Sequence, residues 1–189
     1  MPKITESTVA QHRAVQHRAV LEAAERLIVT EHGKVPTLAE VASEVGLARS
    51  SIYRYVSSQH DLMVQLLVLA TENWNEKLAS AIATAPPEPA ERICAYVDAM
   101  LDLFVHGSHG PLMTAAQYFP DAFADEEVQA SHSGFNDIVK KFCPGATRED
   151  IALLNAAIIR ASEMSADADS YARATKTLHN MARAIVKGD

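Results

Sequence analysis

The chain has 189 residues, 48% of them hydrophobic, and carries a formal net charge of −7. It contains no apolar stretch long enough to cross a membrane and no hydrophobic segment of a secretory signal. These two classes are therefore excluded, and we expect a cytoplasmic protein. Nearly every long segment follows a 3.6-residue hydrophobic period and none alternates as a β-strand does, so we expect an all-α fold.

The pentapeptide QHRAV occurs twice in succession, at 11–15 and 16–20. A period of five residues does not keep to one face of a helix, so the repeat is not the pattern of a core-facing helix. Two interpretations stay open. The repeat is either a basic extension that touches a phosphate or the minor groove, or a helical extension whose charges face solvent. A helix with a regular apolar face is predicted from Val20 to Gly33.

The segment that begins at Thr37 has the pattern of two short helices joined by a glycine turn. The Thr37 hydroxyl can accept a hydrogen bond from a free N–H of the first turn, as an N-cap does. Gly46 follows the first helix, at a position where glycine adopts a positive φ at little cost. The second short helix is predicted from about Arg49 to Val56. Ser58 then begins a long helix, from about Gln59 to Thr84.

The outer face of the second short helix carries cations and hydroxyl groups but no carboxylate. Arginine can bond to guanine or to phosphate in bidentate fashion, and Ser and Tyr hydroxyls commonly contact phosphate. This arrangement is typical of a helix-turn-helix that reads the major groove of DNA. An αα-hairpin with a solvated polar face is the alternative. The candidate DNA-binding residues are Arg49, Ser50, Ser51, Tyr53 and Arg54.

Over about residues 13–65 the sequence resembles the DNA-binding domain of TetR-family transcriptional regulators. The matching positions are Ala23, Ala24, Thr37, Ala42, Val45, Gly46, Leu47, Ser51, Ile52, Tyr53 and Leu62. The resemblance implies that Thr37, Arg49, Ser50, Ser51, Tyr53 and Tyr55 approach DNA. Gln59 stands where the family often has a phosphate-binding lysine, which puts that contact in question. Val56 stands where the family often has phenylalanine, so a smaller side chain fills the same place in the core.

The charge is divided unevenly along the chain. Residues 1–60 contain seven Lys/Arg and six Asp/Glu, a balance of +1, whereas residues 61–189 contain ten and eighteen, a balance of −8. Only the first segment tolerates close approach to DNA. This division agrees with a three-helix DNA-binding domain over 1–60, and the resemblance implies that the helical domain over 61–189 serves effector binding and dimerisation.

Five further helices are predicted after Pro86, at about 90–106, 111–118, 125–142, 147–165 and 167–187. The last two are rich in alanine, and the larger side chains between them are Ile151, Leu154, Ile158, Leu178, Met181 and Ile185. Such a pair resembles the family's dimer interface, and packing within one chain is the alternative. Because helix-turn-helix modules commonly read palindromic half-sites as two-fold dimers, we expect a homodimer.

The resemblance also implies a small-molecule site in the helical domain. Mostly apolar candidates with a few polar groups fit such a site: Trp74, Met100, Phe104, Met113, Gln117, Tyr118, Phe119 and Phe135. For each of them, ordinary core packing is the alternative. We call the second short helix, about Arg49 to Val56, the recognition segment. A bound ligand would change the angle of the long helix that begins at Gln59, and so the distance between the recognition segments of the two subunits.

Motifs of the common enzyme classes are missing from the sequence, which has no P-loop, G-x-G-x-x-G, G-x-S-x-G or H-E-x-x-H. We therefore expect no enzyme and no cofactor. We also expect no metal site, since His106 and His109 are flanked by glycines at an expected helix end. The favoured function is a dimeric repressor that a small apolar or amphipathic effector releases from a palindromic operator. The alternatives are a ligand-independent DNA-binding module and a helical small-molecule-binding protein or enzyme that retains the fold without regulatory DNA binding.

Overall fold

The computed structural model describes residues 6–142 and 146–186, and within these ranges the side chains of 6–8, 133–137, 139, 140 and 142 lie outside the description. All regular secondary structure of the described part is helical, which confirms the all-α fold. The helices are α1 (Glu6–Thr30), α2 (Leu38–Glu44), α3 (Gln59–Thr84), α4 (Pro89–His106), α5 (His109–Ala116), α6 (Glu126–Phe142), α7 (Arg148–Met164) and α8 (Ala168–Val186). Two 3-10 segments span Ile52–Arg54 and Pro120–Ala124. No described helix is long and apolar enough to cross a membrane.

Two compact units make up the chain. The first consists of Met1–Leu69 and Pro111–Val128, and the second of Ala70–Gly110 and Gln129–Asp189. Helices α3 and α5 each contribute residues to both units. The module expected over 1–60 lies within the first unit, and the boundary placed after residue 60 stays a prediction.

Helix α1 is much longer than the predicted helix, since it begins at Glu6 and not at Val20. The added segment, residues 6–19, contains the QHRAV repeat except its last residue and has no Gly or Pro, so nothing in it interrupts helix propagation. Val20, Ala24 and Ile28 recur at four-residue spacing and are fully buried. The helix therefore presents the expected apolar face to the core of the first unit.

Helix α2 starts at the predicted N-cap, Thr37, which forms a capping box with Glu40. The Thr37 hydroxyl accepts a hydrogen bond from the backbone N–H of Glu40 at 3.2 Å, and the Glu40 carboxylate accepts one from the backbone N–H of Thr37 at 2.7 Å. The hydrogen bonds from the Thr37 backbone and hydroxyl lower the pKa of Glu40. Val41 and Ala42 are buried, and Gly46 ends the turn at φ +68°. The start of the helix-turn-helix is thus fixed by local chemistry.

The prediction of a second helix from Arg49 to Val56 is wrong in its details, because only Ile52–Arg54 is regular and it is a 3-10 helix. Ser51 precedes this segment without making a side-chain capping bond. Most residues that follow are β-branched or aromatic, which lowers helix propensity, and a segment this short makes few bonds to offset nucleation. Ile52 and Val56 are nevertheless buried, so the segment is anchored to the core.

The second unit has its own core, built by α4, α7 and α8. The residues buried at its centre are Ile93, Val97, Leu101, Leu154, Ile158, Leu178 and Ala182. Tyr96 of α4 is also buried, and its hydroxyl donates to the Oδ1 atom of Asn155. Helix α7 begins with a second capping box, formed by Thr147 and Asp150. This core holds α7 and α8 side by side.

Candidate nucleic-acid interface and ligand cavity

The segment after α2 presents polar and cationic side chains to solvent. Arg49, Ser50, Tyr53 and Arg54 are exposed, and Ser51 and Tyr55 are half-buried. Thr37 is exposed as well, although its hydroxyl already bonds within the capping box. No Asp or Glu occurs between Glu44 and Asp61 in the sequence. Most of the predicted residues are therefore exposed in a stretch of sequence without acidic side chains, and their contact with DNA stays a prediction.

Side chains of helix α1 form hydrogen bonds with this segment and with α3. Nη2 of Arg13 donates to the carbonyl oxygen of Arg54 at 3.3 Å. His17 lies one turn further along, where its Nε2 atom is 2.5 Å from Oε1 of Gln65, and the amide of Gln65 donates to the carbonyl oxygen of Tyr55 at 3.3 Å. The first two bonds connect both copies of the QHRAV repeat to the 3-10 segment and to α3, and the third connects α3 to the residue after that segment.

The QHRAV repeat is thus a helical extension whose two copies have different roles. Because five residues turn a helix through about 140°, the two histidines and the two arginines face different sides. Arg13 and His17 point to the recognition segment, whereas Arg18 forms an ion pair with Glu22 at 3.0 Å. Contact of the repeat with DNA stays a prediction.

Tyr55 packs inward with its ring. The ring lies 6.2 Å from the His17 ring at an interplanar angle of 18°, and the Arg54 guanidinium carbon lies 5.8 Å from its centroid. Stacking on one face and a cation near the ring restrict the directions that Arg54 can take. Tyr55 therefore orients a neighbouring cation.

Asp61, at the start of α3, is occupied by internal hydrogen bonds. Its Oδ2 atom accepts from the backbone N–H of Ser57 at 2.6 Å, and Oδ1 accepts from Gln65 at 2.7 Å. Burial raises the pKa of this carboxyl, but the hydrogen bonds from Gln65 and Ser57 outweigh it and leave the pKa below its usual value. The charge thus stabilises the turn before α3.

Gln59 also has an internal role at the position where the family often has a lysine. Its amide nitrogen donates to the carbonyl oxygen of Pro36 at 2.9 Å. The bond ties the start of α3 to the residue before the Thr37 capping box. Gln59 in this way supports the orientation of the helix-turn-helix, and no charge stands here to attract a phosphate.

A cavity of about 220 Å³ lies in the second unit. It is lined by Thr71, Trp74, Asn75, Leu78, Met100, Leu103, Phe104, His109 and His132. The sequence predicts Trp74, Met100 and Phe104 for a ligand site, and the structure brings these three together. Phe135 has its side chain outside the described part.

The other predicted ligand residues lie elsewhere. Tyr118 is 70% exposed and, with Phe119, lines a separate groove of the first unit beside residues 31–35. Gln117 is exposed and donates to the carbonyl oxygen of Thr114 at 2.7 Å. Met113 is half-buried and is not among the residues that line either space. The physical reason is that α5 continues from one unit into the other, which a sequence pattern does not show.

His109 is the cavity residue that the sequence pattern does not reveal. Its ring centroid lies 4.8 Å from that of Trp74 and 4.1 Å from that of Phe104. Burial, together with the nearby His132, lowers the pKa of His109 to about 4. Its Nδ1 atom is buried and has no hydrogen-bond partner in the described part. The imidazole is therefore a neutral polar group that lies against the rings of Trp74 and Phe104.

Gly33 allows a close approach within the first unit. Its φ is +94°, and a Cβ atom there would lie 2.6 Å from both Cβ and Cγ2 of Thr114. Only glycine fits this position without displacement of the neighbour. The loop after α1 is consequently packed directly against α5.

The outer surface of α7 and α8 carries four exposed large apolar side chains among charged and polar ones. Leu153 is 71% exposed and Met164 is 64% exposed, with Ile159 and Met181 less so. Most of the predicted interface residues are instead part of the unit's own core, since Ile151, Leu154, Ile158 and Leu178 are buried there. For these four the alternative of packing within one chain is the observed one. The exposed Leu153 follows no small-residue pattern, so the alanine-based prediction did not include it.

No protein-family model matches the chain, but individual known proteins do. The sequence is 30% identical over 113 residues to the HTH-type transcriptional repressor LfrR of Mycolicibacterium smegmatis. The match covers 60% of this chain and 55% of LfrR, so the chain spans about half the length of that relative.

Solved structures match over most of the chain. A TetR family transcription regulator from Marinobacter aquaeolei VT8 has a TM-score of 0.65 at 15% identity, covering 91% of this chain and 97% of that one. AibR in complex with isovaleryl coenzyme A and operator DNA has a TM-score of 0.64 at 14% identity, covering 88% and 97%. LfrR in complex with proflavine has a TM-score of 0.56 at 22% identity, covering 88% and 94%. The resemblance to TetR-family transcriptional regulators is therefore confirmed, and the chain has the fold of that family.

Proposed function

We propose that this chain is a DNA-binding transcriptional repressor that acts as a homodimer and is released from its operator by a small molecule. The observation that carries the proposal is the exposed surface at 49–54, with two arginines, serine and tyrosine hydroxyls and no carboxylate. The guanidinium groups of Arg49 and Arg54 can each donate two hydrogen bonds to a guanine base or to a phosphate. The direction of control follows the relative LfrR, which is described as a repressor.

The modest charge of the DNA-binding segment favours a dimer. A balance of +1 over residues 1–60 gives one module little electrostatic attraction to DNA. Two modules on one rigid dimer add their contacts and need a single association step. The exposed apolar side chains of Leu153, Ile159, Met164 and Met181 provide a surface for the partner subunit on α7 and α8.

Release by an effector requires that the cavity and the DNA-binding segment share a moving element. Helices α3 and α5 meet this requirement because each has residues in both units. Trp74 of α3 and His109 of α5 line the cavity, and Gln59 at the start of α3 bonds to Pro36 beside the helix-turn-helix. A ligand that favours one position of these helices shifts the population of DNA-competent dimers.

The alternative of an enzyme on this fold has less support. Among the described residues, no group of three or more His, Cys, Asp or Glu side chains is arranged to hold a metal ion, and the motifs of the common enzyme classes are missing from the sequence. The resemblance is to transcriptional regulators. We therefore infer a cytoplasmic regulator without catalytic residues or a cofactor.

Selection from a random duplex DNA library tests the proposal, because it finds the operator motif directly. A two-fold dimer should enrich an inverted repeat, with half-sites about one helical turn (about 10 bp) or a multiple of it apart. A second selection with Arg49→Ala/Arg54→Ala protein serves as the matched control, since this variant keeps every buried residue of the module. Failure of the wild-type protein to enrich any motif over this control would contradict the proposed function.

A further inference from the structure

The described residues that line the cavity of the second unit carry no formal charge at neutral pH. Its nine described lining residues, given above, include no Lys, Arg, Asp or Glu. A formal charge on a ligand would be left without a partner there, which costs far more than burial of a neutral group. Building on the proposed function, we propose that the effector is a small uncharged aromatic molecule with a hydroxyl group that donates a hydrogen bond to His109.

The size of the cavity limits the ligand to about one substituted ring. Its volume of about 220 Å³ lies below the range of about 300–1,000 Å³ that holds drug-sized molecules. An apolar protein cavity of about 150 Å³ accommodates benzene. A benzene ring with one or two substituents consequently fits this space, whereas long acyl chains do not.

The walls favour an aromatic ligand. The His109 ring is inclined by 55° to the Trp74 ring and by 74° to the Phe104 ring. Inclined rings leave room for another ring that meets them edge-to-face or with an offset, which are the favoured aromatic geometries. Met100 adds a polarisable thioether to the wall.

His109 supplies the polar selectivity. Its lowered pKa keeps the imidazole neutral near pH 7, and a neutral imidazole has one nitrogen that accepts a hydrogen bond. Nδ1 is buried without a partner in the described structure, and leaving such an atom unpaired is costly. A half-turn about the Cβ–Cγ bond exchanges Nδ1 with Cδ2 within the same ring space. A ligand hydroxyl can thus satisfy a nitrogen that the described protein atoms leave unpaired.

The chain contains a single tryptophan, and it lies in this cavity, so its fluorescence reports occupancy directly. We would titrate the DNA-free protein with phenol, toluene and benzoate at pH 7.5 and follow Trp74 emission. Phenol and toluene have nearly the same shape, and only phenol has the donor. Phenol should bind about five- to tenfold more tightly than toluene, which is the effect of one well-placed hydrogen bond. Benzoate should bind more weakly than both.

Variants of His109 assign the preference to the imidazole. His109→Phe should bring phenol and toluene to equal affinity, and His109→Gln should retain part of the preference for phenol. His106→Phe is the matched control, because His106 is exposed and pairs with Asp102 outside the cavity; it should leave the preference unchanged. Two results would overturn the inference: wild-type protein that binds phenol no better than toluene, or a phenol preference that persists in full in both His109 variants.

Operator binding in the presence of saturating phenol separates this inference from the proposed function. Release of DNA by phenol but not by benzoate would support both. Selective phenol binding that leaves the affinity for the operator unchanged would contradict the cavity's role as the effector site. Selective phenol binding by a chain that binds no operator would contradict the proposed function instead.

Discussion

The imidazole of His17 stacks on the ring of Tyr55, with centroids 6.2 Å apart and an interplanar angle of 18°. The same histidine bonds to Gln65, which in turn bonds to the carbonyl oxygen of Tyr55. Helix α1 and helix α3 therefore both hold the residue that follows the short 3-10 turn. A segment with too few internal bonds to be stable alone gains its geometry from these two neighbours.

Replacing His17 by alanine should loosen the recognition segment. Loss of the stacking and of one hydrogen bond should lower the free energy of unfolding by about 1–2 kcal/mol and accelerate amide exchange at residues 52–56. His12→Ala is the matched control, because His12 occupies the same position in the other QHRAV copy and is exposed. Urea denaturation with hydrogen exchange compares the two. Equal effects of both substitutions would contradict the assigned role of His17.

Gly33 and Gly46 provide a second matched pair. Both have positive φ, but only a Cβ at Gly33 would collide with Thr114, and nothing lies within 4 Å of one at Gly46. Gly46→Ala should cost about 1–2 kcal/mol from backbone strain, and Gly33→Ala should cost about 3–5 kcal/mol because overpacking adds to the strain. Thermal denaturation measures both costs.

A double-mutant cycle isolates the collision. Thr114→Gly should recover part of the stability lost in Gly33→Ala and should not rescue Gly46→Ala. If it rescues neither, then the cost at Gly33 comes from the backbone alone.

Sequence patterns predicted the elements whose cause is local. Thr37 caps α2 as expected and α7 begins within one residue of its predicted start; each start is a capping box, which needs only residues three apart. The helices over the second half of the chain begin and end within about two residues of their predicted bounds. Apolar periodicity and proline breaks are sufficient signals for such elements.

The features that the sequence did not reveal depend on tertiary contacts. The 3-10 turn at Ile52 has the spacing of a helix, but its β-branched and aromatic residues are held by α1 and α3. His109 has the sequence context of a helix end and instead lines the cavity as the first residue of α5. The exposure of Leu153 depends on how α7 packs against α4 and α8. Helical periodicity does not distinguish a core face from an interface face.

A charge on the outer surface of α7 should break the proposed homodimer. Leu153→Glu places a carboxylate on a side chain that is 71% exposed, so the subunit itself should still fold while the apolar contact with a partner is lost. Tyr118→Glu is the control, since Tyr118 is equally exposed at 70% but lies outside α7 and α8. Sedimentation velocity should show monomers for the first variant and dimers for the second. Dimers of both variants would refute this location of the interface.

His109 should make stability depend on pH in a defined window. Burial favours the neutral imidazole, so the pKa falls from an ordinary 6.5 to about 4 in the folded chain. Between these values the unfolded chain binds a proton that the folded chain does not, and stability decreases as pH falls. The loss should reach up to about 3 kcal/mol near pH 4.

Chemical denaturation at a series of pH values tests this dependence. His109→Phe should flatten the curve between pH 6.5 and 4. The carboxyl groups of Glu40 and Asp61 have lowered pKa values and so act at more acidic pH in both proteins. A slope that is identical in wild-type and variant protein would show that His109 is not the titrating group.

The central claim is that Arg49 and Arg54 bind DNA from an exposed surface that the fold supports without their help. The most direct test is fluorescence anisotropy with the selected operator and a scrambled duplex across a range of salt concentrations. It compares wild type and Arg49→Ala/Arg54→Ala with the control Lys77→Ala, which removes an exposed cation of α3 in the second unit. We expect wild-type and Lys77→Ala protein to bind the operator selectively and to weaken as salt rises. The double variant should lose about 1–3 kcal/mol for each base contact removed while keeping its fold and dimer. Unchanged operator affinity in a folded, dimeric double variant would contradict the account.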